Sequence, residues 1–287
     1  MKLEKDYKRK LQLRILDIVK DVDKICREND IDYYILYGSA LGAIRHQGFI
    51  PWDDDFDIGM TFDNYVKFLE ICEKKLDKNK YYVQTPEKEK NYYLSFSKIR
   101  DIRTTLIEEG NENIDIVRSV YIDVFPLVGI PNNKIKERIL KINRAFMLSA
   151  NMNVINNKFL RCIFDIILKI FGRRKILKYT TKRCFKYNTN DCEYWCSIAD
   201  GDGYIQNKIK REIYGKPKYV KFEDIMLPVP ENTDKYLKNI YGDYMKIPSE
   251  EQIKFREHTP YYLNFDLPYD EYKKARIEKW KKMYCLL

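Results

Sequence analysis

The first apolar pattern along the chain is helical. Leu11, Ile15, Ile18, Val22 and Ile25 recur in steps of three and four, which places them on one stripe and predicts an amphipathic helix over residues 4–28, ended by Asn29-Asp30. Residues 33–37 then predict a strand that breaks at Gly38-Ser39 into a short helical stretch, with a second strand around residues 56–60. Phe62, Val66, Leu69, Cys72 and Leu76 predict a helix over 62–76, with Thr61 as its cap and Asp63 in its first turn. Residues 81–84 and 92–99 predict strands, and 103–107 a further strand folding back through Arg100-Asp101.

Strict alternation comes at Val120, Ile122 and Val124, with Tyr121, Asp123 and Phe125 between them and Pro126 as the stop. Helical spacing returns over 133–149. Short strands are predicted at 194–198, 209–214 and 219–222, the last two facing each other across Gly215-Lys216-Pro217. Asn232 to Tyr241 predicts a helix closed by Gly242, and Pro268 starts a final one. The mixture predicts an α+β class: a mixed sheet with helices and an appended helical segment.

Composition narrows the options. With 45% hydrophobic and 14% aromatic residues the chain is not disordered, and 287 residues can bury a substantial core. Seven scattered cysteines without a Cys-x-x-Cys pair, and two histidines, argue against a zinc site or a disulfide framework and for a reducing compartment. The charged first ten residues lack the apolar core of a leader, and no uncharged run approaches the ~20 residues of a spanning helix. The expectation is a cytoplasmic protein, soluble or peripheral on the inner face of the plasma membrane.

Chemistry concentrates between Tyr37 and Met60. A Gly38-Ser39 turn into a helix offers unpaired N–H groups that suit a phosphate. Asp53, Asp54 and Asp55 follow, then Asp57; on an extended backbone Asp55 and Asp57 share a face. Two such carboxylates repel unless a cation sits between them, and oxygen ligands suit Mg²⁺ or Mn²⁺. A phosphate cradle beside a divalent-metal site is equipment for phosphoryl transfer. Asp123, on an otherwise apolar strand, is costly to bury alone, so it meets either a basic side chain or the same metal.

The unbroken run from Tyr37-Gly38-Ser39 through Leu41-Gly42-Ala43, Arg45-His46 and Gly48-Phe49-Ile50-Pro51-Trp52-Asp53-Asp54-Asp55 to Asp57-Ile58-Gly59-Met60 resembles the signature of the LicD family, which includes the fukutin-related transferases. Ile122-Asp123-Val124-Phe125-Pro126-Leu127 and Tyr241-Gly242-Asp243-Tyr244-Met245-Lys246-Ile247-Pro248, with His258 after it, extend the likeness. The resemblance implies a nucleotidyltransferase-like core that moves phosphocholine, or a similar phospho-alcohol, from a CDP-linked donor to a surface glycan and releases CMP. It implies Asp55, Asp57 and Asp123 as catalytic residues holding one or two Mg²⁺ ions. Gly38, Ser39, Arg45, His46, Lys98, Arg100, Asp243 and His258 are carried as substrate contacts. From the residues alone Asp243 reads first as a loop acid, and His258 as a packing or hydrogen-bonding residue rather than the base. A nucleotidyltransferase that leaves the nucleotide on its product is the alternative. The non-enzymatic one is a membrane- or polysaccharide-binding module on a degenerate fold.

Residues 158–187 stand apart. They hold ten basic residues against one acid, Asp165, a net +9 beside the +10 of the whole chain, interleaved with Phe159, Leu160, Ile163, Phe164, Ile166, Ile167, Leu168, Ile170 and Phe171. Such a segment lies on an anionic membrane or forms a buried helix with a solvated basic one behind it. No nucleic-acid motif accompanies the charge, so no nucleic-acid partner is expected. The expected organisation is a catalytic core at 1–130 and a basic helical insertion at 131–190. A C-terminal part at 191–287 completes the site.

Overall fold

The computed structural model describes residues 7–110, 112–152, 158–187, 189–199, 204–256 and 259–284. It begins with α1 (Tyr7–Glu28), β1 (Tyr34–Ile35), α2 (Tyr37–Arg45), β2 (Asp57–Thr61) and α3 (Phe62–Lys75). β3 (Tyr81–Gln84), β4 (Ser97–Asp101), β5 (Thr105–Glu108) and the long β6 (Val120–Ile130) follow. Next come α4 (Lys134–Met152), α5 (Lys158–Phe171), α6 (Arg173–Cys184), β7 (Tyr194–Ser197), α7 (Tyr204–Asn207), β8 (Lys208–Lys210) and α8 (Arg211–Tyr214). The chain ends with β9 (Lys218–Phe222), β10 (Ile225–Val229), α9 (Thr233–Tyr241), α10 (Glu250–Arg256), β11 (Pro260–Asn264) and α11 (Tyr269–Tyr284). The class is α+β, as its apolar periodicities predict.

β6 is the axis. The sheet runs β1-β2-β6-β4-β3, with β7 on the far half of β6 and β8 beyond it; β2 lies parallel to β6 and the other pairs are antiparallel. Because β6 alternates, one face presents Val120, Ile122 and Val124, each fully buried. α1 covers that face: Tyr81, on the same side, donates its hydroxyl to Asp21 of α1 at 2.6 Å, and Arg14 of α1 reaches Asp101 at 3.8 Å. Burying an aliphatic side chain this fully stabilises by roughly 1.5–3 kcal/mol, so this face carries the core. The other face carries Tyr121, Asp123 and Phe125.

A second apolar cluster joins Val128 and Ile130 of β6 to Leu140, Met147 and Leu148 of α4, Cys184 of α6 and Cys196 of β7. The basic stretch forms two helices, α5 and α6, divided at Gly172, whose φ of 81° favours glycine. Among the described residues no helix is long and apolar enough to cross a membrane.

Several local expectations change. The strand at 33–37 shrinks to two residues because Tyr37 turns left-handed, φ 45°, to open α2. The strand expected at 92–99 begins only at Ser97. Thr61 stands before α3 without a side-chain cap bond. β5 does not fold back on β4: Thr104 donates its hydroxyl to the Asp101 carbonyl at 2.8 Å and accepts the Val120 N–H at 2.9 Å, which turns β5 away to pair with β11. Residues 211–214 are a helical turn, and β9 pairs with β10 through a two-residue Glu223-Asp224 loop. Glu223 takes φ 54° there, a position that glycine or asparagine advertises and glutamate hides.

Candidate active site

Strand register assembles the site. β2 sets Asp57 beside Asp123, β4 sets Lys98 on the other side of Asp123, and β3 sets Gln84 beside Lys98. Register partners share a face, so these four polar residues form one row across four strands, on the side away from α1. Neighbouring strands lie about 4.8 Å apart, so the register places the Asp57 and Asp123 side chains next to each other on this face. Of the two alternatives for Asp123, the basic partner is present as Lys98, and Asp57 lies on its other side.

The Lys98 Nζ lies 2.6 Å from Asp123 Oδ1 and 3.4 Å from the centre of the Tyr121 ring. Burial pushes the Asp123 carboxyl up to about 6; Lys98 pulls against that, while Asp55 and Glu108 add to it. Arg100, one pleat along β4, donates to Gln84 and, at 2.7 Å, to the Ser119 carbonyl. Tyr121 donates its hydroxyl to Glu108 Oε1 at 2.6 Å. Burial raises the Glu108 carboxyl, but Lys98, the Tyr121 hydrogen bond, Arg100 and Arg118 outweigh it and hold the group below its ordinary value. Lys98 and Arg100, expected at a phosphate, are 4% and 3% exposed and already engaged inside the protein.

The acidic loop lies beside this row. Asp53, Asp54 and Asp55 each offer a carboxylate oxygen, all within 4.8 Å of one another. Burial, then Asp55 and Asp54, raise the Asp53 carboxyl well above its ordinary value. The loop is held from α1, where Gln12 Nε2 donates to the Ile50 and Asp53 carbonyls at 3.1 and 2.9 Å. Asp53 was visible in the sequence run but not assigned to the site.

Gly38 and Ser39 act on these acids directly. A Cβ on Gly38 would stand 2.7 Å from Asp53 Oδ2, so the residue must be glycine for that carboxylate to lie over the first turn of α2. Ser39 Oγ accepts the Asp57 N–H at 2.9 Å, and Leu36 N–H donates to the Asp57 carbonyl at 2.9 Å, which fixes the start of β2 against α2. On the far side stands Tyr241, the last residue of α9. Burial raises its phenol well above the ordinary value, and Tyr236, Asp57, Asp53 and Asp55 push it further.

The remaining expected contacts lie apart. Arg45 and His46 end α2, about 12 Å along the helix from Gly38. Arg45 donates to the Tyr244 carbonyl at 2.8 Å, and the His46 ring meets Trp52 edge-on at 6.1 Å. Burial and Arg45 lower the His46 pKa. Asp243 is exposed, in the turn after α9. His258 lies outside the described residues. Glu108, Tyr121 and Tyr241 carried no signal of their own in the sequence reading.

Comparison with known proteins adds the following. Residues 30–138 match the nucleotidyltransferase domain model of LicD/FKTN/FKRP, a span that contains the acidic loop, Lys98, Glu108 and Asp123. The lipopolysaccharide cholinephosphotransferase LicD of Haemophilus influenzae is 29% identical over 257 residues, covering 86% of this chain and 94% of that protein. An uncharacterised protein of Rickettsia typhi is 38% identical over 80 residues, 26% of each chain. Through the match to that domain, and through a similarity that runs over most of its length, the chain is a LicD-like enzyme.

Proposed function

We propose that this chain transfers a phospho-alcohol, phosphocholine first among the choices, from a CDP-linked donor to a hydroxyl of a cell-surface glycan and releases CMP. The Haemophilus influenzae relative supports phosphocholine and a lipopolysaccharide acceptor. The observation that carries the reading is the Asp57–Asp123 pair on neighbouring parallel strands beside the Asp53–Asp55 loop. Carboxylates this close repel one another, and an oxygen-only donor set fits Mg²⁺ or Mn²⁺. Asp55, Asp57 and Asp123 would hold the ion, with Asp53 beside them. When bound, such an ion draws charge from the phosphate oxygens and the departing oxygen.

In this reading the acceptor oxygen attacks the phosphorus that bears the alcohol. The bond from that phosphorus to the bridging oxygen breaks, and CMP leaves with the electron pair. Asp123 takes the acceptor's proton on the carboxylate oxygen that Lys98 does not hold. Lys98 positions Asp123 rather than touching the phosphate, and Ser39 positions Asp57 in the same sense. The family model's description, a nucleotidyltransferase domain, favours one second reading: transfer of the nucleotide itself.

Product analysis separates them. With CDP-choline, Mg²⁺ and a lipopolysaccharide acceptor, mass spectrometry should find free CMP and an acceptor heavier by phosphocholine. Pyrophosphate and a nucleotide-bearing product from a nucleoside triphosphate would establish the second reading instead. Neither product from either donor, with folded protein and Mg²⁺ present, would remove both.

A further inference from the structure

The transfer reaction leaves α5 unused. Phe159, Ile163, Ile166 and Ile170 are 73%, 41%, 50% and 69% exposed. At 100° per residue they fall within an arc of about 60°, a continuous apolar ridge along the helix. The ridge is not a core face that lost its partner. The inward side of α5 is filled by Phe164, which is 2% exposed and meets Phe146 of α4 edge-on at 5.4 Å. On α4, exposed Ile135, Ile139 and Ile142 continue at the same helical spacing to Phe146, so a second apolar row runs up to the α5 contact.

Charge decides what covers the ridge. Residues 158–187 carry ten basic residues and one acid, and that acid, Asp165, is paired with Arg161 at 3.0 Å. Lys169 lies on the flank of the ridge, and Arg173, Arg174 and Lys175 follow it, all exposed, immediately after the Gly172 turn. Exposed apolar side chains beside a band of ten basic residues and one acid complement a surface that is apolar below and anionic above. An apolar protein groove would match the ridge but not the band.

We infer that α5 lies in the interface of an anionic lipid bilayer, with the Phe159–Ile163–Ile166–Ile170 ridge among the acyl chains and the α5–α6 basic residues at the headgroup phosphates. The contact needs no donor, acceptor or metal, so its fate is separate from that of the proposed reaction.

Co-sedimentation of the full chain with phosphatidylcholine vesicles, with and without phosphatidylglycerol, tests it. The protein should pellet with the anionic vesicles and stay in solution with the neutral ones. Ile166→Asp should weaken that partition on the order of tenfold or more, since it removes one anchoring side chain and adds a like charge. An Arg173→Glu/Arg174→Glu variant should weaken it too, and added salt should abolish the difference from the unmodified chain. Each variant is checked by its melting temperature, which an exposed position should leave unchanged. Failure to pellet with anionic vesicles, or undiminished binding by folded Ile166→Asp, overturns the inference. A dimer in lipid-free solution that Ile166→Asp disperses would give the ridge to a second copy instead.

Discussion

The acid row and the α5 ridge break the same rule in opposite directions. On the sheet, Asp57, Lys98, Arg100 and Arg118 are nearly inaccessible, at 9%, 4%, 3% and 2% exposure, where apolar residues are ordinarily found. On α5, phenylalanine and isoleucine stand in solvent where charges belong. The two violations are stabilised differently. The buried charges are held by short contacts, Lys98 to Asp123, Arg100 to the Ser119 carbonyl and Glu108 to the Tyr121 hydroxyl, so the structure itself offsets their desolvation. The ridge instead keeps between 41% and 73% of each side chain exposed, which is why it points to something outside the chain. Buried, paired charge marks a site of chemistry, and exposed apolar surface marks a surface of contact.

The largest effect expected from breaking this contrast is on turnover. Asp57→Asn removes one acid of the row at constant shape. It should lower the rate of CMP release by about a thousandfold or more while leaving the melting temperature within a few degrees. Steady-state rates and a thermal melt on the same preparation check both halves. Retained turnover would show that the row is structural.

Next comes Lys98→Met, which leaves Asp123 buried without its cation. A loss of about 3–5 kcal/mol in urea denaturation is expected, and adding Asp123→Asn to the same chain should restore most of it. A loss below ~1 kcal/mol would mean the pair is not truly desolvated.

Glu108→Gln should cost about 1.5–3 kcal/mol at neutral pH, since it removes a charge-assisted hydrogen bond and the field that balances Lys98, Arg100 and Arg118. Its carboxyl is held below the ordinary value in the folded protein. The stability it contributes is therefore present above the unfolded-state value of about 4.3 and is lost as pH falls through the lower folded one. Denaturation curves of the two chains should converge on acidification; a constant gap would sink the assignment.

The smallest effect belongs to the ridge. Ile166→Ala should change stability by no more than about 0.5 kcal/mol, whereas Ile122→Ala, in the fully buried face of β6, should cost about 2–5 kcal/mol. Equal losses at the two positions would show that α5 is buried in solution, and the contrast would vanish.

How much of this was legible beforehand follows from the range of the interactions. The alternation around Asp123 and the periodicity of α1 are local patterns with one physical solution, so both elements were readable. The joining of Asp57 to Asp123 depends on a parallel register between strands more than sixty residues apart in sequence, and only the family resemblance anticipated it. Glu108 sits in a run that looks like a charged turn; it becomes part of the site because Tyr121 and Lys98 reach it across the sheet. Lys98 was expected to meet a phosphate because its partner Asp123, on the adjacent strand but distant in sequence, cannot be seen from its neighbours. The β9–β10 hairpin was hidden by a turn made from Glu223-Asp224 rather than from glycine.

The proposed function needs a cation shared between β2 and β6, and Mn²⁺ titration followed by electron paramagnetic resonance asks for that ion directly. The unmodified chain should remove free Mn²⁺ from solution, Mg²⁺ should compete it off, and Asp57→Asn and Asp123→Asn should each weaken binding by about tenfold or more while both variants stay folded. Binding that survives both substitutions, or no binding by the folded chain with or without a CDP-alcohol, would contradict a shared cation at this site.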